Sequence, residues 1–272
     1  MNSIYDEIKK ASRIVVKVGT STLTYDTGKM NIKRIDTLAR TLSDLHNSGK
    51  DVILVSSGAI GIAVGKLGLS EKPNDTNTKQ ALAAIGQCEL MYLYDKVFSE
   101  YNNTVAQILL TKDDIAIPRR KRNTQATMNT LLDIGIIPIV NENDTVSTDE
   151  IEIGDNDNLS AMVSDLVNAD LLVLFSDIDG LFDKDPHTHN DAKIIPVVYN
   201  VAEVRSSASG AGTKRGTGGM ITKLDAAEFA NKQGINMVIA NGNDISKLYN
   251  ILNGESVGTL FFSNNHHLHN ND

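Results

Sequence analysis

The feature that most constrains the fold is a regular alternation of short apolar segments with longer segments of helical periodicity. The apolar segments are rich in β-branched residues and too short for core helices, which is typical of strands buried on both faces. They lie at residues 14–18, 52–55, 105–110, 136–140, 171–175 and 237–240. Segments with one apolar stripe lie between most of them, as at 31–48, 79–101 and 222–233. The alternation predicts an α/β fold, a three-layer αβα sandwich with a mainly parallel central sheet.

Length and charge narrow the class of protein. The chain has 272 residues, of which 41% are hydrophobic and 22% are charged, so a disordered or fibrous protein is excluded. This length suits one large domain or two closely packed lobes. The net charge of −8 lacks the electrostatic footprint of a general nucleic-acid binder. An anionic ligand must therefore be held by local cations and backbone dipoles.

The cysteine content and the lengths of the apolar segments indicate in which cellular compartment the protein is located. Cys88 is the only cysteine and lies in an apolar helical pattern, so we expect a buried thiol in a reducing compartment and no zinc cluster. The N-terminus has no apolar stretch of signal-peptide length, and no later segment approaches the roughly 18 uninterrupted apolar residues of a membrane span. These features predict a cytoplasmic protein with no membrane partner. The histidine-containing tail at 264–272 is expected to be solvated.

Ligands of parallel sheets bind at the carboxyl ends of the strands, so the loops that follow strands are the candidate site. Lys17 lies within the first predicted strand, where a buried ammonium is costly unless an anion meets it. A lysine on an edge strand that reaches water is the alternative. Gly19, Thr20 and Ser21 follow, and such a turn lets backbone amides approach a phosphate. The turn favours an anion site.

The second predicted strand ends in two serines, Ser56 and Ser57. A serine nucleophile is one hypothesis, but the Gly-x-Ser-x-Gly elbow is absent. Helix capping is the alternative. A turn that offers hydroxyl and amide donors to a carboxylate fits both the sequence and the expected geometry.

Two polar clusters follow the fourth predicted strand, at 141–144 and 155–158. Neither has the glycine and the glutamate that an EF-hand calcium loop requires. Helix capping by one Asp or Asn explains part of the second cluster, but a cap uses one residue and four stand in a row. Carboxylates and amides together suit a zwitterionic ligand, because acids bind its ammonium and amides bind its carboxylate.

The strongest local signal is a glycine-rich segment at 209–223. Five glycines fall between 209 and 219, with Lys214, Arg215 and Lys223 beside them and helical periodicity afterwards. Such a loop before a helix forms a phosphate cradle, although neither the P-loop nor the Rossmann fingerprint is present. A flexible surface loop is the alternative. The basic run at 119–122 is interpreted as a solvated helix start.

Together these motifs resemble the amino acid kinase family, and within it the branch that phosphorylates glutamate. The matching segments occur in the family's order from residue 15 to about 262. They are VVKVGTSTL at 15–23, SSGAI at 56–60, KQALAAIGQ at 79–87, LLT at 109–111 with Asp114, PIVNENDTV at 138–146, IGDNDNLSA at 153–161, SDIDGLF at 176–182 with Asp185 and Pro186, and GTGGMITKLDAA at 216–227. The pairing of NEND with GDNDNLSA separates this branch from the related aspartate, uridylate and carbamate kinases.

The resemblance implies ATP-dependent phosphorylation of the γ-carboxylate of L-glutamate, the first step of proline biosynthesis. ATP is then a co-substrate, with Mg²⁺ carried on its phosphates and no metal held by the protein. The resemblance also implies a single amino acid kinase domain over 1–272. Its N-terminal lobe, to about residue 165, would bind the amino acid, and its C-terminal lobe, about 166–263, would bind the nucleotide.

The same resemblance assigns roles to individual residues. Lys17 and Lys223 would be catalytic, and Asp157 would hold both lysines in place. The substrate-binding residues would be Ser57, Asp144, Asp155 and Asn156. The nucleotide would be bound by Lys17, Ser176, Asp177, Thr217, Gly218, Gly219, Met220, Ile221, Thr222 and Lys223.

The resemblance bears on partners as well. It implies a homo-oligomer, a dimer or tetramer, with proline as a feedback inhibitor and no nucleic-acid partner. Many bacterial members carry a C-terminal RNA-modification-type domain known as PUA, and this chain is expected to be the kinase domain alone. Lys121 and Arg122 stand where the family often has an aromatic-Leu pair, which leaves the role of that segment open.

The implied chemistry agrees with the residue types. A γ-carboxyl group has a pKa near 4.3, so the nucleophile is ionised at neutral pH and needs no general base. The reaction does need an in-line approach and cancellation of charge between two anions, which Lys17 and Lys223 would provide. Two alternatives stay open: a family member with a different carboxylate acceptor, and a non-catalytic nucleotide sensor.

Overall fold

The computed structural model describes residues 4–25, 28–146, 156–186, 188–209 and 217–263, and within these ranges it contains one eight-stranded sheet with helices on both faces. The strands are β1 (Arg13–Val18), β2 (Asp51–Ser56), β3 (Val105–Leu110), β4 (Ile137–Glu142), β5 (Leu171–Ser176), β6 (Val197–Val198), β7 (Asn236–Asn241) and β8 (Thr259–Phe261). The helices are α1 (Ile4–Lys9), α2 (Thr20–Leu23), α3 (Ile32–Asn47), α4 (Ala59–Leu67), α5 (Thr76–Ser99), α6 (Lys112–Ala116), α7 (Pro118–Asp133), α8 (Asp157–Leu166), α9 (Val201–Ser209), α10 (Thr217–Lys232) and α11 (Lys247–Leu252).

The sheet is mainly parallel, as predicted. Its order is β3-β4-β2-β1-β5-β7-β8-β6, and only the β7–β8 pair among the described strands is antiparallel. All six predicted strands are confirmed to within two residues. The strands that the sequence did not predict, β6 and β8, have two and three residues, too few for a period to be visible. The predicted division into two lobes near residue 165 falls inside α8 and stays a prediction.

Strand β1 separates two hydrophobic cores because its side chains alternate between the two faces of the sheet. Ile14, Val16 and Val18 lie in the core that α3 and α5 cover. Val15 lies in the opposite core, which α7, α8 and α10 cover. Lys17 alternates with Val16 and Val18, so its side chain projects from the face where α8 and α10 pack. The alternation in sequence thus determines which helices the lysine can reach.

Helix α3 shows how local sequence sets the helix boundaries. The Asn31 side chain accepts a hydrogen bond from the backbone N–H of Arg34 and so caps the first turn. Ile35 and Leu38 begin the buried stripe. Gly49, with a φ of 93°, follows the helix in a left-handed conformation that suits glycine. The helix predicted at 31–48 is confirmed.

The prediction of a buried cysteine is wrong. Cys88 is exposed on α5, because the buried stripe of this helix runs through Ala83, Gln87 and Leu90. Ile85 lies three residues before Cys88, on the same outward face, and is also exposed. The helix therefore has apolar residues on its outward face as well as on its buried face, and Cys88 lies on the outward one. No helix among the described residues is long and apolar enough to cross a bilayer.

Helices α4 and α5 cross at Gly86. A Cβ atom at this glycine would lie 1.7 Å from the carbonyl oxygen of Ala59, far inside van der Waals contact. Only glycine therefore permits this approach, which brings the next residue of α5, Gln87, against the carboxyl end of the sheet.

Replacing Gly86 with alanine tests this crossing. Helix propensity alone predicts that Gly86→Ala stabilises the protein by up to about 1 kcal/mol. The clash with Ala59 predicts the opposite sign, a loss of about 2–3 kcal/mol in the free energy of unfolding. Urea unfolding followed by circular dichroism measures the difference. A free energy of unfolding that is unchanged or increased would contradict the close crossing.

Candidate active site

Three charged side chains from different elements meet at the carboxyl edge of the sheet. Lys17 of β1 donates from Nζ to Oδ1 of Asp157 at 2.5 Å, and Lys223 of α10 donates to Oδ2 of the same carboxylate at 2.9 Å. Asp157 is 1% exposed and Lys17 is 7% exposed. Strand β1 has neighbours on both sides, so the interpretation of Lys17 as an edge-strand lysine is wrong. The structure brings the two predicted lysines together on one carboxylate.

The electrostatic balance of this trio favours an anion. Burial by itself would raise the pKa of the Asp157 carboxyl, but the charges of Lys17 and Lys223 outweigh it and hold the pKa below its usual value. Asp157 is therefore ionised at neutral pH and neutralises one of the two ammonium groups. The excess positive charge at the edge of a sheet attracts a phosphate or a carboxylate.

The glycine-rich segment differs from the prediction in one respect. Helix α10 includes Thr217, five residues before the predicted helix, so the predicted nucleotide residues from 219 to 223 lie on its first turns. The amides of a first helical turn have no partner within the helix and can bind an anion. Lys223 also donates to the carbonyl oxygen of Gly219 at 3.1 Å. Residues 210–216, with Lys214 and Arg215, lie outside the described residues, as does the side chain of Thr217.

The other predicted nucleotide residues lie at the end of β5. Ser176 is the last residue of that strand, and its hydroxyl donates to Oδ1 of Asp177 at 3.0 Å. Strand β5 is the direct neighbour of β1, so this turn is adjacent to the turn that follows Lys17.

A chain of amide side chains lies beside the lysines. Nδ2 of Asn156 donates to the Ser57 hydroxyl oxygen at 2.9 Å and to Oδ1 of Asn141 at 2.8 Å. Asn156 precedes α8, yet within the described residues its side chain makes these contacts rather than a helix cap. Ser57 likewise does not begin α4, whose N-cap position is Gly58. The capping interpretation of Ser57 is therefore wrong, whereas Asn156 occupies the N-cap position of α8 without a capping hydrogen bond from its side chain.

Asp144 is a buried carboxylate with an unsatisfied oxygen. It is 8% exposed, and its Oδ1 has no hydrogen-bond partner among the residues that the structure describes. Burial raises the pKa of this carboxyl to about 6, the charge of Glu142 acts in the same direction, and Lys72 opposes both. An ammonium group from a ligand would satisfy the oxygen and restore the ionised form. Asp155, predicted to lie at the same site, is outside the described residues.

Two residues behind the site received no role from the sequence. Oε1 of Gln87 accepts a hydrogen bond from Nδ2 of Asn141 at 2.9 Å, and the Tyr94 hydroxyl bonds to the Ser56 hydroxyl at 2.8 Å. Both residues lie on the buried stripe of α5. Burial raises the pKa of the Tyr94 hydroxyl, which stays protonated. Polar side chains on an otherwise apolar buried stripe are the signal that could have found them.

A separate cleft of about 570 Å³ opens beside the turn that follows β1. Tyr25, Arg34 and Asn243 are among its walls. Arg34 donates to the carbonyl oxygen of Ser21 at 2.9 Å and so connects this cleft to the turn. Its walls include none of the predicted site residues, so it neighbours the candidate site and is not part of it.

Comparisons with known proteins agree on one family. Residues 12–241 match the Amino acid kinase family. The chain is 56% identical over 259 residues to a glutamate 5-kinase of Clostridium perfringens, covering 93% of this chain and 96% of that protein. It is 52% identical over 266 residues to a glutamate 5-kinase of Clostridium acetobutylicum, covering 97% of this chain and 100% of that protein. A UMP kinase of Bacillus anthracis has the same fold, with a TM-score of 0.64, 19% identity and coverage of 94% and 97%.

Proposed function

The chain belongs to the amino acid kinase family, and we propose that it transfers the γ-phosphoryl group of ATP to the γ-carboxylate of L-glutamate. The products are L-glutamate 5-phosphate and ADP, and the reaction is the first step of proline biosynthesis. The observation that carries this proposal is the convergence of Lys17 and Lys223 on Asp157, beside a cluster of amides and an unsatisfied carboxylate. Two cations suit the phosphoryl group, and the polar cluster suits an amino acid.

The amino acid is held by groups of opposite character. The ionised Asp144 binds the α-ammonium, since its buried Oδ1 has no other partner among the described residues. Ser57 and Asn156 supply hydroxyl and amide donors for the carboxylates. Asp155 contributes a further acid for the ammonium, as the family resemblance implies.

The transfer needs no proton acceptor. A γ-carboxylate oxygen attacks the γ-phosphorus in line with the leaving oxygen, the bond from phosphorus to the β,γ-bridging oxygen breaks, and ADP leaves with that electron pair. Lys17 offsets the repulsion between the carboxylate and the phosphoryl group, and Lys223 offsets the charge that develops on the bridge. Asp157 holds both ammonium groups in place before the substrates arrive, which avoids reorganisation during the reaction.

The nucleotide lies along β5 and the start of α10 in this proposal. Ser176 and Asp177 face it, and the segment from Thr217 to Lys223 supplies helix-start amides for its phosphates. Mg²⁺ travels on those phosphates and supplies further neutralisation of their charge. In this proposal the cation is held mainly through nucleotide oxygens and water.

The proposed oligomeric state and the proposed inhibition by proline are inferred from the family resemblance. The outward face of α5 carries exposed Ile85 and Tyr92, and apolar residues there suit contact with a second copy in a dimer or tetramer. Proline also has an α-carboxylate and a positively charged α-nitrogen, a secondary ammonium within its ring, so it competes at Asp144. The lobes meet near residue 165, and the protein acts in the cytoplasm.

The direct test uses hydroxylamine, which converts acyl phosphates into hydroxamates. The protein is incubated with ATP, Mg²⁺ and a panel of carboxylate acceptors that includes glutamate and aspartate. We expect a hydroxamate with glutamate, together with glutamate-dependent release of ADP. Hydroxamate from another acceptor alone would identify a family member of different specificity. Nucleotide binding without ADP release would identify a sensor.

The raised pKa of Asp144 predicts how glutamate use depends on pH. The carboxylate must be ionised to bind the ammonium, so kcat/KM for glutamate should fall about tenfold per pH unit below about pH 6. At saturating glutamate the rate should depend less on pH, because the ammonium of bound glutamate lowers the pKa of the Asp144 carboxyl. Initial rates from pH 5 to 8, at low and at saturating glutamate, measure both dependences. A kcat/KM for glutamate that is constant across this range would contradict the role of Asp144.

A further inference from the structure

We propose that Gln87 is a specificity-determining residue of this site, whose Nε2 donates a hydrogen bond to the α-carboxylate of the amino acid substrate. This inference rests on the proposed function and assigns it a residue for which the family resemblance gave no role. It depends on the position of Gln87 beside the site, on the orientation of its side-chain amide, and on the missing hydrogen-bond acceptor for its Nε2.

Gln87 is held against the site by the packing of α5. The close crossing at Gly86 presses this part of α5 onto α4, and Gln87 is 7% exposed. Its Oε1 accepts from Asn141, which in turn accepts from the Asn156 that contacts Ser57. Gln87 is thus the inner end of a chain of amide side chains, and this chain reaches Ser57 and Asn156, which are predicted to bind the substrate glutamate.

A backbone group fixes the direction of this amide chain. The backbone N–H of Glu142 donates to Oδ1 of Asn141 at 2.9 Å, and a backbone N–H can only donate. Oδ1 of Asn141 is therefore the oxygen, and its Nδ2 must be the group that faces Gln87. Gln87 then presents its oxygen to Asn141, so its Nε2 points away from the chain. The assignment does not depend on a choice between the two ends of the Gln87 amide.

The Nε2 group of Gln87 lacks a partner. It is buried, and no hydrogen-bond acceptor for it occurs in the part of the chain that the structure describes. A buried amide donor without an acceptor is unfavourable, so an acceptor from a ligand is favoured there. Asp144 has an unsatisfied hydrogen-bond acceptor, because its buried Oδ1 receives no hydrogen bond from the described residues. One unsatisfied donor and one unsatisfied acceptor match the carboxylate and the ammonium on the α-carbon of an amino acid.

Two substitutions separate contact with substrate from support of Asn141. Gln87→Glu keeps the size and the oxygen that Asn141 needs but removes the donor and introduces a carboxylate that repels the substrate. Gln87→Met removes both the donor and the acceptor. If Gln87 binds substrate, Gln87→Glu raises KM for glutamate by about tenfold or more, with KM for ATP within about twofold of the parent. If Gln87 only supports Asn141, Gln87→Glu resembles the parent and only Gln87→Met is impaired.

An analogue supplies the readout that a structural defect would not give. 4-Aminobutyrate has the γ-carboxylate and the ammonium of glutamate but no α-carboxylate. We expect its inhibition constant against glutamate to stay within about threefold of the parent in Gln87→Glu while KM for glutamate rises tenfold. An equal rise in both constants, or a KM for glutamate within twofold of the parent, would overturn the inference.

Two controls keep the outcome interpretable. Gln233→Glu makes the same chemical change at an exposed position at the end of α10 and should leave both constants unchanged. Unfolding free energies identify any variant that is impaired through loss of the fold. A parent protein that makes no hydroxamate from glutamate would sink the proposed function itself, whereas an active parent with an unaltered Gln87→Glu variant sinks this inference alone.

Discussion

Replacing Lys17 or Lys223 with methionine is expected to lower turnover by on the order of a hundredfold or more, roughly 3 kcal/mol in activation free energy. Methionine keeps most of the side-chain volume and removes the ammonium. Each lysine donates directly to the buried Asp157, so its position is fixed before the substrates bind. Removal of one lysine leaves Asp157 paired with the other, which limits the loss of stability.

Steady-state rates at saturating glutamate and ATP measure the effect. Lys232→Met is the matched control, because Lys232 lies on the same helix as Lys223 and forms an exposed ion pair with Glu228. We expect that control to retain parental turnover. Turnover within about threefold of the parent in Lys17→Met and Lys223→Met would show that neither ammonium takes part in the transfer.

Replacing Asp144 with asparagine is expected to raise KM for glutamate by on the order of a hundredfold, while KM for ATP changes by less than about twofold. The substitution keeps the shape and removes the charge that binds the ammonium, and a hydrogen bond between charged groups contributes about 1.5–3 kcal/mol. Oδ1 of Asp144 is buried and has no other partner among the described residues, so the ammonium would be its main contact. Folding should not suffer, because ionised Asp144 is itself unfavourable in its buried position.

The comparison of the two KM values tests the assignment. Asp133→Asn makes the same change at the exposed end of α7, which precedes β4, whereas Asp144 follows β4, and it should alter neither KM. Equal increases in KM for glutamate and for ATP would contradict the placement of Asp144 at the amino-acid site.

The fold was predictable because its strands are buried on both faces. Such strands are continuous apolar runs, and β5, predicted at 171–175, was found at Leu171–Ser176. Strands β6 and β8 were not predicted, since two or three residues carry no period. Cys88 was placed wrongly because α5 has apolar residues on its outward face as well as its buried one. When a helix has apolar residues on two faces, the sequence pattern alone does not determine which face packs against the core.

The site was predictable where it depends on local sequence. The residues that follow parallel strands had to meet at one edge, so Lys17, Ser57 and Asn156 could be grouped before any geometry was known. Gln87 could not be added to them, because its contact with Asn141 depends on how α5 crosses α4 at Gly86. Contacts between elements 54 residues apart in the chain have no periodic signature.

The central claim is that a carboxylate oxygen attacks phosphorus at this site, and oxygen isotopes test it most directly. Glutamate labelled with ¹⁸O in both γ-carboxylate oxygens is incubated with ATP, Mg²⁺ and the protein. The product cyclises to 5-oxoproline as its α-amine displaces phosphate, and the phosphate leaves with the bridging oxygen. Mass spectrometry of the inorganic phosphate should then find one ¹⁸O atom from glutamate. Phosphate without ¹⁸O, released at the same rate, would mean that water is the nucleophile and would contradict the account.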